Sequence, residues 1–137
     1  MKYALYFIFL LFLNCSNTIT EQDLQLLNGY WEIEKVVSVK NKTTQYGINA
    51  TVDFYFIDEN NIGYRKKTTP DFSGKYKTNN IKDSIRINKI DEQFVIQTST
   101  SLANWHDVII KLTTKDLVLE NENGARFYYK KHQKFNL

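Results

Sequence analysis

The side chains that most often carry catalysis are scarce in this chain and lie far apart. It contains one cysteine, Cys15, and two histidines, His106 and His132. A catalytic nucleophile needs a base within hydrogen-bonding reach, and the Gly-x-Ser-x-Gly turn that exposes a nucleophilic serine is absent from the sequence. We therefore expect no enzymatic activity.

Metal, phosphate and nucleic-acid sites are not expected either. A zinc site needs three or four converging Cys, His or carboxylate ligands, and the glycines are scattered singly rather than gathered in a phosphate-binding loop. Lysine and arginine number 18 against 15 aspartate and glutamate, and they are spread along the chain. The tightest basic run, Arg65 to Lys67, is typical of solvated charge at the end of a strand. No cofactor is predicted.

The sequence favours a small-molecule site over these chemistries. A row of hydroxyl side chains runs from Thr98 to Ser101, and abundant aromatic residues accompany it. Hydroxyls and aromatics together give the mixed polar and apolar wall of a ligand pocket. We predict that the ligand-binding residues are Tyr64, Tyr76, Thr98, Thr100 and His106. The alternative is that bulky side chains fill the same interior, which is then only a core.

These residues must be positioned by strands, and the first strand carries the clearest pattern. From Asn28 to Val39 a spacing of two places one set of residues on a single face, which is the period of a half-buried strand. Lys35 interrupts this face once. The set is Gly29, Trp31, Ile33, Val37 and Val39.

Further strands follow at short spacing without helical patterns between them. Antiparallel neighbours joined by hairpins are expected, and Pro70 should break one pairing, just before a strand over Phe72 to Lys77. Closure into an up-and-down barrel of about eight or nine strands removes exposed edges, and a two-sheet sandwich is the alternative. The inward residues predicted by alternation are Trp31, Val52, Phe54, Phe56, Ile62, Tyr64, Tyr76, Ile85, Ile87, Phe94, Ile96, Val108, Ile110, Leu117, Leu119, Phe127 and Tyr129.

A short helix is predicted just before the first strand, from Thr20 to Leu27. Thr20 can cap it with an acidic residue three positions later, and Asn28 with Gly29 supplies the stop. So short a helix is stable only when it packs against a hydrophobic core. We expect it to close one end of the barrel.

With the strands placed, three segments resemble lipocalin-like proteins. Leu27 to Trp31 looks like their Gly-x-Trp opening, in which the tryptophan plugs the closed end. Gly74-Lys75-Tyr76 resembles the Gly-x-Tyr strand of small bacterial lipocalin-like lipoproteins, and Val108 to Lys130 resembles their closing strands. The resemblance covers roughly residues 24 to 131. It implies a lipocalin-like all-β barrel that binds a small hydrophobic or amphipathic ligand, with Trp31, Gly29 and Gly74 in structural roles.

The N-terminus has the layout of a secretory signal peptide. A basic lead, Met1 to Tyr3, precedes an uncharged apolar run of ten residues, Ala4 to Leu13, which is too short to span a bilayer. Cys15 follows at once, and as the lone cysteine it has no internal disulfide partner. Residues Phe12 to Cys15 resemble the lipobox of bacterial lipoproteins, which implies cleavage before Cys15 and its acylation with chains such as palmitate. A free or buried thiol is the alternative.

These observations predict a domain order and a location. Residues 1–14 are a lipoprotein signal peptide, 15–20 an acylated cysteine with its tether, and 21–137 the barrel domain. Several acyl chains anchor a protein firmly, so we expect a lipid anchor in the outer membrane of a bacterial envelope. The tether lacks acidic residues, which favours the periplasmic face.

A second function remains open, namely an accessory lipoprotein with a filled barrel and no ligand. Such a protein would dock on a larger envelope complex through its outer surface. The outward residues predicted for this role are Tyr30, Tyr55, Ile57, Trp105, Ile109 and Tyr128.

Overall fold

The computed structural model describes residues 18–133, and most of that range is strand. A 3-10 helix, Gln22–Leu27, comes first. The strands are β1 Gly29–Val37, β2 Thr43–Gln45, β3 Val52–Ile57, β4 Ile62–Pro70, β5 Tyr76–Thr78, β6 Asp83–Ile90, β7 Gln93–Ser99, β8 Asn104–Leu112, β9 Asp116–Asn121 and β10 Arg126–Lys131. Cys15 and the signal peptide lie outside the described residues.

The strands close into a barrel because β1 pairs with β3 on one side and with β10 on the other. The hydrogen-bonded order is β10, β9, β8, β7, β6, β4, β3, β1, and all these neighbours are antiparallel. The short strands β2 and β5 lie off this cycle, paired to β1 and β4. The predicted all-β barrel of about eight strands is confirmed, and the chain does not form the two-sheet alternative.

The 3-10 helix covers one end of the barrel, called here the closed end. Its start is fixed by Thr20, whose backbone N–H and hydroxyl donate to the Asp23 carboxylate at 2.7 and 2.8 Å. Leu24 and Leu27 are fully buried in the core beside Trp31. The Trp31 indole N–H donates to the Leu27 carbonyl at 2.7 Å, which ties the helix to β1.

Lys131, the last residue of β10, contacts the helix and Trp31 at the closed end of the barrel. Its Nζ donates to the carbonyls of Leu26 and Asn28 at 3.1 and 2.6 Å and lies 4.4 Å from the Trp31 ring centroid. Gly29 has a φ of 121°, and a Cβ there would lie 3.0 Å from the Lys131 Nζ. The structural roles predicted for Trp31 and Gly29 thus have a physical basis. Gly74 lies in the turn before β5 with a φ of 76°.

A bulge in β1 changes which valine faces inward. The register against β10 shifts between Ile33 and Lys35, so that Val36 lies opposite Phe127 on the inner face. The prediction holds for the first half of the strand. It is wrong for Val37, which lies on the outer face after the shift, and for Val39, which is 64% exposed beyond the strand.

The inner and outer faces of β3 and β4 are reversed relative to the prediction. Tyr55 and Ile57 are 2% and 1% exposed in the core, whereas Phe56 is 43% exposed. Arg65 lies opposite Tyr55 on the inner face, and Tyr64 lies opposite Phe56 on the outer face. The inward prediction is therefore wrong for Phe54, Phe56, Ile62 and Tyr64.

The sequence leaves this face undetermined because both faces of β3 carry apolar residues, and a shift of one residue exchanges them. The closed end decides it. The Asn28 side chain accepts a hydrogen bond from the Ile57 N–H at 2.6 Å and donates to the Ile57 carbonyl at 3.2 Å. Gly63 faces Ile57 on β4, and a Cβ there would lie 1.8 Å from the Phe56 carbonyl oxygen.

The inner face of β8 is also shifted by one residue. Ile109, 4% exposed, lies opposite Leu119 in the core, and a second bulge follows before Lys111. The inward prediction is therefore wrong for Val108 and Ile110. The outward prediction is wrong for Tyr55, Ile57, Trp105 and Ile109. The inward prediction is confirmed for Trp31, Ile85, Ile87, Phe94, Ile96, Leu117, Leu119, Phe127 and Tyr129.

The segment around Pro70 also differs from expectation. Pro70 ends β4 in register with Tyr76, so pairing continues up to the proline instead of breaking before it. A proline is tolerated there because it lies at a strand end. The predicted strand over Phe72 to Lys77 is reduced to β5, and Phe72 is 89% exposed in the turn.

Candidate functional site

A cavity of about 290 Å³ lies at the end of the barrel opposite the 3-10 helix, called here the open end. Its walls come from β3, β4, β8, β9, β10 and the turn between the last two strands. Aromatic and aliphatic side chains form much of the wall, and polar groups surround the mouth. The lining residues are Tyr55, Arg65, Trp105, His106, Asp107, Leu119, Asn121, Glu122, Asn123, Phe127 and Tyr129.

Arg65 is the main cation of this wall, and its charge is already matched by neighbouring groups. Its guanidinium lies 2.9 Å from the Asp83 carboxylate and donates to the Tyr55 hydroxyl. Burial opposes the charged form, but Tyr55, Asp53 and Asp83 outweigh burial and raise the pKa of Arg65 above its ordinary value. The Arg65 Nε is buried and has no hydrogen-bond partner among the described residues.

The guanidinium also orders the aromatic part of the wall. Its Cζ lies 5.4 Å from the Trp105 ring centroid, within the range of a cation–π contact. Burial raises the pKa values of Tyr55 and Tyr129 well above the ordinary tyrosine value, so both hydroxyls stay neutral hydrogen-bonding groups. The floor of the cavity is thus built of fixed, uncharged aromatic side chains.

Asp107 is a partly buried carboxylate on the wall of the same cavity. Burial raises its pKa above the ordinary aspartate value, and the opposing attraction of Arg65 and the hydrogen bond from the Trp105 side chain only partly compensate. No ion pair within 4.0 Å involves Asp107 among residues 18–133. The cavity therefore has a carboxylate on its wall that no cation neutralises directly.

Glu122 and His106 form the rim. Oε1 of Glu122 accepts a hydrogen bond from the His106 backbone N–H at 3.1 Å and lies 2.8 Å from the His106 Nδ1. Both contacts use the same oxygen, which leaves Oε2 of Glu122 without a partner in the described chain. These two residues and Trp105 also line a second, more open cavity of about 590 Å³ beside β4, β6, β7 and β8.

The predicted ligand-binding residues separate into two groups. Thr98, 3% exposed, lines the second cavity, and His106 lines both. Tyr64 and Tyr76 lie on the outer face of the barrel and line neither of the two cavities. The Thr100 hydroxyl accepts hydrogen bonds from the N–H groups of Leu102 and Ala103 and stabilises the loop between β7 and β8.

Sequence reasoning missed the charged residues of the wall. The basic run predicts solvated strand-end charge for Arg65, but the Arg65 side chain is only 18% exposed. The one usable signal is alternation along β4, where Gly63 and Arg65 share a face. That signal becomes readable only when Ile57 is known to face inward.

The outer face carries an aromatic cluster that crosses β1, β3, β4 and β5. Tyr30 and Tyr76 stack with ring centroids 3.7 Å apart, and Tyr30 lies 4.7 Å from Phe54. Phe54 continues to Tyr64 at 6.1 Å, and Tyr64 to Phe56 at 5.6 Å. We call these five residues the outer aromatic cluster. Burial raises the pKa values of Tyr30 and Tyr76, consistent with their mutual packing.

Residues 18–133 contain no helix suited to spanning a membrane and no side-chain cluster suited to a metal ion. None of the helices in this range has the length and apolar character needed to cross a bilayer. No group of three or more His, Cys, Asp or Glu side chains in the same range is arranged to hold a metal ion.

Comparison with known structures identifies the architecture. The chain is similar to a lipocalin-like protein from Bacteroides uniformis ATCC 8492, whose crystal structure matches with a TM-score of 0.51 at 11% sequence identity. The match covers 78% of this chain and 99% of the other. The barrel has the lipocalin-like fold. At this identity the likeness concerns the fold alone, and no protein-family profile and no curated protein matches the sequence.

Proposed function

We propose that this chain is a membrane-tethered lipocalin-like binding protein of the bacterial envelope, which holds a small hydrophobic or amphipathic ligand at the open end of its barrel. The observation that carries the proposal is the cavity of about 290 Å³, at the lower limit of the sizes typical of small-molecule sites. Such sites combine apolar walls with a few placed polar groups, and Leu119, Phe127, Arg65 and Asp107 supply both kinds.

The division of the interior supports this role. Trp31, Leu24 and Leu27 fill the closed end without exposure to solvent. Arg65 and Asp107 lie on the wall of the cavity at the open end. In a barrel packed along its whole length, a largely buried Arg65 and an Asp107 without an ion pair would only cost free energy of desolvation.

The tether is the second part of the proposal. The described chain enters at the closed end, where Thr20 lies just before the 3-10 helix, and Cys15 precedes Thr20 by a few residues in the sequence. Acylation of Cys15 would therefore hold the closed end near the bilayer and leave the cavity facing the aqueous side. The sequence favours the outer membrane and its periplasmic face.

Native mass spectrometry of the gently purified full-length protein tests the ligand. We expect a co-purifying small molecule, and Asn123→Trp at the cavity mouth should remove it. Asn60→Trp is the matched control, because Asn60 occupies the equivalent position of the β3–β4 turn: the backbone N–H of each asparagine donates to a side-chain oxygen two residues earlier. A wild-type protein without any adduct, or an adduct retained in Asn123→Trp, would contradict the proposal.

Metabolic labelling with an alkyne analogue of palmitate tests the tether independently. The wild-type protein should take up the label and fractionate with membranes, whereas Cys15→Ser should do neither. Equal labelling of both proteins, or of neither, would remove the lipoprotein part and leave the ligand part standing.

The outer aromatic cluster favours a second candidate function, an accessory lipoprotein that docks on an envelope complex. Aromatic side chains are frequent anchors of interfaces, and Phe56 and Ile62 are 43% and 42% exposed. A photoreactive amino acid at position 56 should then give a specific crosslink in intact cells. The same residue at position 90, exposed at the closed end, is the control and should give none.

A further inference from the structure

The open-end cavity carries an excess of carboxylate over cation that its own side chains do not neutralise. Arg65 is matched by Asp83 at 2.9 Å, and Lys67 by Asp53 at 2.9 Å. After these pairs, Asp107 on the wall remains without an ion-pair partner. An anionic ligand would therefore meet the negative charge of Asp107 in addition to the Asp83 carboxylate that is already paired with Arg65.

A second carboxylate lies on the same side of the mouth. Glu122 keeps Oε2 free while Oε1 is held by His106 at 2.8 Å. Burial is the main cause that raises the pKa of Asp107, and the negative charge of Glu122 adds to it. The two oxygen-bearing side chains thus favour a positively charged group between them.

The aromatic and aliphatic side chains of the wall complement the apolar part of a cationic ligand. Trp105, Phe127 and Tyr129 line the same cavity, and the electron-rich faces of aromatic rings attract cations as well as apolar groups. Leu119, 3% exposed, adds aliphatic surface at the floor. A cation with a compact apolar body meets a complementary group at each part of this cavity.

We propose that the cavity is selective for small amphipathic organic cations, with Asp107 as the principal and Glu122 as the secondary carboxylate that bind the ammonium group. This inference rests on the proposed ligand-binding function and names its ligand class. Neutral compounds with the same body bind more weakly, and the corresponding carboxylates bind most weakly.

The test is a titration of the purified full-length protein with three probes that share one body and differ in the head group: 4-phenylbutylamine, 4-phenylbutanol and 4-phenylbutanoate. Binding is measured by calorimetry and by tryptophan fluorescence, to which Trp105 in the cavity wall contributes. The amine should bind at least about tenfold more tightly than the alcohol. Asp107→Asn should remove most of that difference while leaving the affinity for the alcohol within about threefold.

Asp116→Asn is the matched control, because Asp116 pairs with Lys111 at 2.7 Å and does not line the cavity. It should leave the affinities for all three probes unchanged. Equal or tighter binding of the alcohol or the carboxylate, or an unchanged amine affinity in Asp107→Asn, would overturn this inference alone. If no probe binds and the purified protein carries no adduct, the proposed function fails together with it.

Discussion

Replacement of Lys131 by methionine tests how the closed end is held together. Methionine keeps much of the apolar stem but loses the ammonium, which donates to two backbone carbonyls at 2.6 and 3.1 Å and lies 4.4 Å from the Trp31 ring. A hydrogen bond from a charged donor contributes about 1.5–3 kcal/mol, and a cation–π contact at a partly exposed site about 0.5–1 kcal/mol.

Two effects reduce the net loss. Burial lowers the pKa of Lys131, so the folded state holds its ammonium at a desolvation cost that methionine does not have. The freed carbonyls can also bind water, because the site is only partly buried. We therefore expect Lys131→Met to lower the free energy of unfolding by about 2 kcal/mol, or the melting temperature by about 6–10 °C for a domain of this size.

Chemical and thermal denaturation followed by circular dichroism measure this change. Lys130→Met is the matched control on the same strand. The Lys130 side chain is half exposed, and its ion pair with Glu34 is long, at 3.9 Å, so it contributes little to stability. The substitution should change stability by less than about 0.5 kcal/mol. Equal effects of the two substitutions would refute the conclusion that the Lys131 ammonium holds the helix and the start of β1 against β10.

Three further predictions follow from individual contacts. Burial raises the pKa of Asp107, so the folded protein should lose stability as pH rises from the ordinary aspartate pKa through that raised value. Asp107→Asn should abolish this loss and be at least as stable as wild type at about pH 7, as measured by urea denaturation at about pH 4 and pH 7. Gly63→Ala should prevent folding, since its Cβ would overlap a backbone carbonyl at 1.8 Å, while Gly47→Ala meets nothing within 4 Å and should fold normally, as checked by soluble yield and circular dichroism. Tyr76→Ala should lose the stacking on Tyr30, costing about 1 kcal/mol in denaturation, and leave probe binding unchanged because it lies outside the barrel.

The expected gain in stability of Asp107→Asn bears directly on function. If the variant is at least as stable as wild type yet binds the amine probe more weakly, unfolding cannot explain the lost binding. A carboxylate kept at a cost to folding is common where it serves binding. A less stable Asp107→Asn at neutral pH would instead indicate that the attraction of Arg65 outweighs burial.

Much of the fold follows from residue types in order along the chain. Trp31 after a short helix, strands at short spacing and alternating apolar residues predict an antiparallel barrel with one end closed, because these patterns act over neighbouring residues. Ile85, Ile87, Phe94 and Ile96 are correctly predicted to face inward, since the opposite faces of β6 and β7 are mostly polar there.

The candidate site was only partly accessible from sequence. Of the predicted ligand-binding residues, Thr98 and His106 line the cavities, whereas Tyr64 and Tyr76 belong to the outer aromatic cluster. The error arose on β3, where both faces are apolar and alternation cannot choose between them. Because Tyr55 and Ile57 face inward, the pairing of β3 with β4 places Arg65 on the inner face, at the wall of the cavity.

The sequence by itself determined the strand periodicity, the place of Trp31 and the helix that covers it, because each depends on residues close together in the chain. Only the tertiary structure decided which face of β3 is inside, where β1 and β8 bulge, and that Arg65 and Asp107 meet at one cavity. Those outcomes depend on contacts between distant strands, such as Asn28 with Ile57, which no local pattern specifies.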